Sequence, residues 1–204
     1  MVPRSWQRGG PIPLASDIYS RLIVRYPYQT DRDYAFFYHE SANRLASTYT
    51  GEPIDDTILM PFLMLYRHAL ELQLKNLIRY LAAIRRRYHE PANPELYSES
   101  IDKNLRDKIR HNLAKLINEL IKHYESLGLD EEFPESVKKL IRMMHDADNH
   151  GTAFRYAGQM PERQDSADFP DLVEMLDREF RLLDALEDWI DAIYSEAPDP
   201  EDFW

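Results

Sequence analysis

The stretch that most limits what this chain can become is Thr57–Arg87, TILMPFLMLYRHALELQLKNLIRYLAAIRRR. It starts as an almost unbroken apolar run and then carries Arg67, His68, Glu71 and Lys75 inside that apolar setting. A helix that is hydrophobic on nearly every side belongs in the middle of a bundle. Ionisable groups on such a helix must be paired or must serve a site, because an unpaired buried charge is very costly. The sequence therefore predicts an all-α, single-domain helical bundle of about five to six helices around a long buried central helix.

Composition agrees. The chain has 204 residues, 44% apolar and 30% charged, with only 6 glycines, which argues against a turn-rich β architecture. A membrane-spanning helix needs roughly 18 or more consecutive apolar residues. The longest candidate, Ile58–Tyr66, is shorter, so no membrane span is expected. The first residues lack the compact apolar segment of a secretion signal, and cytoplasmic location is the expectation. Without cysteine there is neither a disulfide framework nor a thiolate ligand or nucleophile. A net charge of −11 gives no overall attraction for nucleic acid, although Arg85–Arg87 and Lys138, Lys139 and Arg142 make local basic clusters that read as solvated helix faces.

Along the chain, residues 1–15 read as an irregular arm, 16–195 as the helical domain and 196–204 as an acidic tail. A short helix is expected over 17–26, and a stronger one from Thr30 or Asp31 to about Tyr49. In the latter, Tyr34, Tyr38, Ala42, Leu45 and Tyr49 recur at helical spacing. The central helix starts near Asp55 and Asp56, two acids suited to the positive end of the helix dipole. One further helix is predicted from Asp102 to Leu127, with Leu105, Ile109, Leu113, Leu116, Leu120 and Tyr124 as its buried stripe and Gly128 as its stop. Pro134 opens the next, whose face is Val137, Leu140, Ile141 and Met144. The last helix starts at Asp171 and carries a wide apolar stripe through Ile193.

Three polar groups are candidates for chemistry. Arg67, Glu71 and Lys75 lie at i, i+4 and i+8, so they share one stripe with alternating charge, and His68 sits beside them. They form either an ion-pair ladder on one face or a partly buried set completed from another helix. Asp146, Asp148 and His150, followed by Arg155 and Tyr156, make the second group; Asp148 and Arg155 are suited to a bidentate pair that pins a loop. Their spacing matches no strong metal motif, and no metal or cofactor is called for. The third is His111, expected inside a helix, either as a core histidine with one hydrogen bond or facing a cleft as a general acid or base. No glycine-flanked serine elbow, phosphate-cradling loop or dinucleotide fingerprint is present.

Three segments, in order, resemble the HEPN superfamily of small helical proteins: LYRHALELQLKNLI at Leu65–Ile78, HNLAKLINEL at His111–Leu120 and DADNHGTAFRY at Asp146–Tyr156. The resemblance implies an all-α fold, a homodimer and a place in toxin–antitoxin or antiphage defence. Many members of the family are metal-independent ribonucleases with an R-x4–6-H motif that two protomers bring to one cleft. By that resemblance Arg106 and His111 are the candidate catalytic pair, and Arg32 with His39 is a second match. The arginine would hold a phosphate while the histidine moves a proton and an RNA 2′-OH attacks.

Two functions follow as expectations. One is a non-catalytic HEPN-like module that binds a partner protein of a defence system, a nucleotide or RNA. Arg67, His68, Glu71, Lys75, Asp146, Asp148, His150, Arg155 and Tyr156 then supply its polar core or binding site. The other is a HEPN ribonuclease acting through Arg106 and His111.

Overall fold

The structure is a computed structural model that describes residues 28–156 and 166–195. The chain divides at Thr30/Asp31, and the fold below is that of the unit beginning at Asp31. The N-terminal arm, the short helix expected over 17–26 and the acidic tail lie outside the described residues.

Six α-helices and no strand occur among the described residues: α1 (Asp31–Ala46), α2 (Asp56–Tyr88), α3 (Ser98–Asn104), α4 (Leu113–Glu125), α5 (Glu135–Ala147) and α6 (Phe169–Ser195). The chain is an all-α helical bundle, as its sequence predicts. No helix among the described residues is long and apolar enough to cross a membrane.

The 33-residue α2 is the spine. Tyr66, Leu70, Gln73, Leu74, Leu77, Leu81 and Arg85 on it are buried at spacings of three and four, and Arg67, Glu71 and Ile78 widen the stripe. Helix α1 makes its largest contact with α2, α4 lies on another flank, and α6 touches α1, α2 and α5. Each helix is too short or too apolar on one side to stand alone, so its stability comes from burying that side.

The buried face of α1 is Ala35, His39 and Ala42; of the predicted stripe Ala42 is buried, Tyr38 and Leu45 pack partly buried on the core, and Tyr34 is 46% exposed. Small alanines allow close approach, and His39 is admitted because it has partners. Its ring stacks on Phe180 at 4.2 Å, and its Nε2 lies 2.7 Å from Asp177. A buried polar group with partners costs little, a distinction that apolar periodicity does not carry.

The continuous helix expected from Asp102 to Leu127 is broken. After α3 comes one wide π turn, Leu105–Ile109, and then Arg110 with φ 57. Asn112 restarts the helix as its N-cap, its side chain accepting from the Lys115 amide at 2.9 Å. The apolar stripe survives the break: Leu105, Ile109, Leu113, Leu116, Leu120 and Tyr124 are all buried. A wide turn and one left-handed residue let both segments keep that face inward, so the pattern alone did not reveal the interruption.

Candidate functional site

His111 sits at this break, outside any helix, and its side chain is 64% exposed. This corrects the expectation that His111 lies inside a helix; of its two expected settings, the exposed ring is in the one that faces a cleft. The ring is nevertheless anchored. Its Nδ1 lies 2.7 Å from Glu71 Oε1, and Glu71 is only 2% exposed.

Glu71 is the hub of the site. Lys75 Nζ donates to Oε1 at 2.6 Å and Arg67 Nη1 to Oε2 at 3.4 Å. Burial alone would raise the carboxyl pKa, but the Lys75 ammonium and the His111 ring together outweigh it and hold the group below its usual range. An ionised carboxylate only accepts, so His111 Nδ1 must carry the proton. In the neutral tautomer the Nε2 lone pair is then left for another partner.

Arg67 joins three parts of the fold. Its Nε reaches Asp148 at the end of α5, donating to the main-chain oxygen at 3.2 Å and standing 3.3 Å from the carboxylate. Its Nη2 donates to the His111 main-chain oxygen at 2.9 Å. Of the two arrangements expected for the α2 charges, the structure has the buried set, completed from α5 and from the break. Burial lowers the Arg67 pKa most, partly offset by Asp148 and Glu71.

The predicted Asp148–Arg155 pair does not form. Asp148 instead accepts from the Thr152 and Ala153 amides at 2.8 and 3.0 Å, which closes the turn after α5, while Arg155 donates to the Gly151 oxygen at 2.7 Å. Arg67 already occupies Asp148, and that leaves the Arg155 guanidinium exposed. Gly151 has φ 75, and a Cβ there would stand 2.9 Å from Arg67 Nη1. Only glycine admits the guanidinium at that distance.

A cavity of about 250 Å³ opens over this set, lined by Arg67, His68, Glu71, His111, Arg155 and Tyr38 among others. His68 stands edge-on to Tyr38 at 4.4 Å. Burial is the largest cause lowering its pKa; Glu71 opposes this, while Lys75, Arg155 and His111 add to it. A second cavity of about 490 Å³ lies on the other side of His111, lined by Lys75, Arg79, Arg106 and Arg110 as well. His111 is common to both.

Comparison with known families, with curated proteins and with solved structures gives no significant match.

Arg67, His68, Glu71, Lys75, His111, Asp148 and Arg155 are brought together. Asp146 and His150 are exposed and line neither cavity, and Tyr156 is 59% exposed. Arg106 shares the second cavity with His111, and its guanidinium pairs with its exposed neighbour Asp107 at 3.0 Å. The alternative pair is taken apart: His39 is buried against α6, and Arg32 bonds Asp184 and Asp188 at 3.1 and 2.9 Å. No group of three or more His, Asp or Glu that could hold a metal ion occurs among the described residues. Tyr38, Arg110 and Gly151 also line these cavities, a role that their sequence pattern does not announce. The single glycine after His150 was the available signal for the close approach to Arg67.

Proposed function

We propose that this chain is a cytoplasmic, HEPN-like module of a bacterial defence or toxin–antitoxin system, and that it binds RNA along the groove centred on His111. The family assignment rests on the resemblance of the Leu65–Ile78, His111–Leu120 and Asp146–Tyr156 segments. The binding assignment rests on one observation: two cavities meet at His111, with Arg155 beside one and Arg106 and Arg110 beside the other. In a chain of net charge −11, such arginines concentrate positive potential where phosphates can be held. The buried Arg67–Glu71–Lys75 set serves as scaffold, since its charges are spent on one another. Binding is measured by fluorescence anisotropy with a labelled single-stranded RNA. Removing one phosphate-contacting cation lowers the salt slope by about 1. Arg110→Ala and Arg155→Ala are therefore expected to weaken binding at low salt. Wild-type affinity in both variants would place the RNA elsewhere.

The exposed ring of His111, anchored at Nδ1, favours a second reading, a metal-independent ribonuclease acting as a homodimer. A histidine whose Nδ1–H is held by a buried carboxylate is oriented to take a proton at Nε2 from a 2′-OH and to return one to the leaving oxygen. Arg106, in the same cavity, would steady the phosphate. The His111→Ala protein, purified in folded form, is expected to lose RNA cleavage and growth arrest. Cleavage that persists rules out His111 as the acid–base group.

A further inference from the structure

A cavity of about 580 Å³ lies away from His111. Its walls come from the end of α2, the turn at Asn93–Leu96, α3 with the π turn, and α4. Leu96 and Ile101 supply apolar wall, and Tyr97, the residue after the turn, is 45% exposed.

The charges of this cavity are unevenly matched. Arg85 is spent on Glu90 and on His123, whose Nδ1 stands 2.9 Å from Arg85 Nη1. Asp107 is paired with Arg106, and Glu119 accepts from Asn104 at 3.4 Å. That leaves Glu95 against Lys103, Lys108 and Lys122, none of which has an ion pair among the described residues. Arg86, over the Tyr97 ring at 5.7 Å, adds a fourth cation beside the turn. In a chain of net charge −11, four cations against one carboxylate make a local positive field.

The acidic tail begins within reach of this field. Helix α6 ends at Ser195, and Tyr194 in its last turn packs on the end of α2. The Tyr194 hydroxyl lies 2.6 Å from His89 Nε2, and its ring stands 4.9 Å from that of Tyr88. The next residue, Glu90, binds both Arg85 and Asn93 of the cavity wall. Residues 196–204, EAPDPEDFW, follow α6 directly. Fully extended, that segment spans up to about 30 Å. It holds Glu196, Asp199, Glu201 and Asp202, no cation, and the pair Phe203 and Trp204. Four acids and two aromatic rings answer four cations and an apolar wall.

We propose that residues 196–204 dock in this cavity of their own chain, with Phe203 and Trp204 on the wall at Leu96 and Ile101 and the four carboxylates on Arg86, Lys103, Lys108 and Lys122. The cavity is then a docking site for an acidic, aromatic-bearing segment, and the chain closes it itself. The site is separate from the groove at His111, and the proposal stands whether or not that groove binds RNA.

The test is fluorescence anisotropy of a fluorescein-labelled peptide, EAPDPEDFW, titrated with the full-length protein. In the wild type the tail fills the cavity, so the peptide must displace it. Phe203→Ala combined with Trp204→Ala should vacate the cavity. Burial of one aromatic side chain is worth about tenfold or more in a binding equilibrium, so this double variant is expected to bind the peptide at least tenfold more tightly than the wild type. Lys103 and Lys122 are exposed, and reversing both to Glu in the double variant should abolish peptide binding. Added salt should weaken it. The proposal is overturned if the wild type and the double variant, both folded by circular dichroism, bind the peptide alike or not at all. It is also overturned if binding to the double variant survives the two lysine changes, which places the peptide on another surface. Peptide binding that the wild type gains on dilution means that the tail docks in a second copy, and this too overturns docking within one chain.

Discussion

The guanidinium of Arg67, 4% exposed on the central helix, donates to the main-chain oxygen of His111 at 2.9 Å. A largely exposed candidate group is thus held by the central helix of the fold. Glu71, one turn along from Arg67, holds the ring of the same histidine at Nδ1. Backbone and side chain of His111 are fixed by two residues that also neutralise each other.

Glu71 is the residue whose loss should cost most. Its carboxylate receives Lys75, Arg67 and His111, and removing it leaves Arg67 buried without its partner on α2. Breaking a buried ion pair from one side typically costs about 3–5 kcal/mol. Glu71→Ala is expected to fall in that range in urea denaturation. An unchanged midpoint would mean that the set is solvated and contributes nothing.

Gly151→Ala tests the close approach to Arg67. The substitution places a Cβ 2.9 Å from Nη1 in a backbone conformation with φ 75. Left-handed strain of a non-glycine residue costs about 1–2 kcal/mol, and the guanidinium must also shift. Lower stability is expected together with a changed His111 environment, seen as moved imidazole proton resonances. Full stability with unmoved resonances would show that the turn accommodates the methyl group freely.

The sequence made the bundle legible because the apolar periods of α2, α4, α5 and α6 are strong. Leu113, Leu116 and Leu120, or Val137, Leu140 and Met144, have no other way to leave water. It also made the Arg67–Glu71 set legible as a problem, since charges in such a helix require partners. It did not show which partners. Proximity in sequence pairs Asp148 with Arg155, and only the fold brings Arg67 to it first. The break at Arg110–Asn112 was hidden for a similar reason. A π turn followed by a left-handed residue conserves the buried stripe, so periodicity reads straight through it and assigns His111 to a helix it does not occupy.

Asn43 closes a polar cluster between α1, α2 and α6. It accepts from the Tyr66 hydroxyl at 2.5 Å and donates to Asp177 at 2.8 Å. Tyr66 is fully buried, so Asn43→Ala leaves its hydroxyl without that acceptor. An orphaned buried donor costs about 1–3 kcal/mol. Asn43→Ala should therefore be destabilised by that amount, and the loss should shrink when Tyr66→Phe is added. Equal losses with either residue at position 66 would place the contribution of Asn43 elsewhere.

His123 sets the acid side of the stability profile. Its pKa falls from 6.5 to about 4 on folding, because the ring is buried and faces Arg85 and Lys122. Between those two values the unfolded chain binds a proton that the folded chain refuses, so stability must fall as pH is lowered from 6.5 towards 4. At roughly 1.4 kcal/mol per pKa unit, the loss from this residue is about 3 kcal/mol. Glu71 adds to the loss only further down, as pH falls through its own lowered value, and His68, also lowered, acts in the same direction as His123. His123→Gln keeps an acceptor for Arg85 and removes the titration. Its unfolding free energy, followed by urea denaturation from pH 7.5 to 4, should be flatter than that of the wild type by about 3 kcal/mol. Parallel profiles for the two proteins would show that His123 titrates in the fold as it does in the unfolded chain.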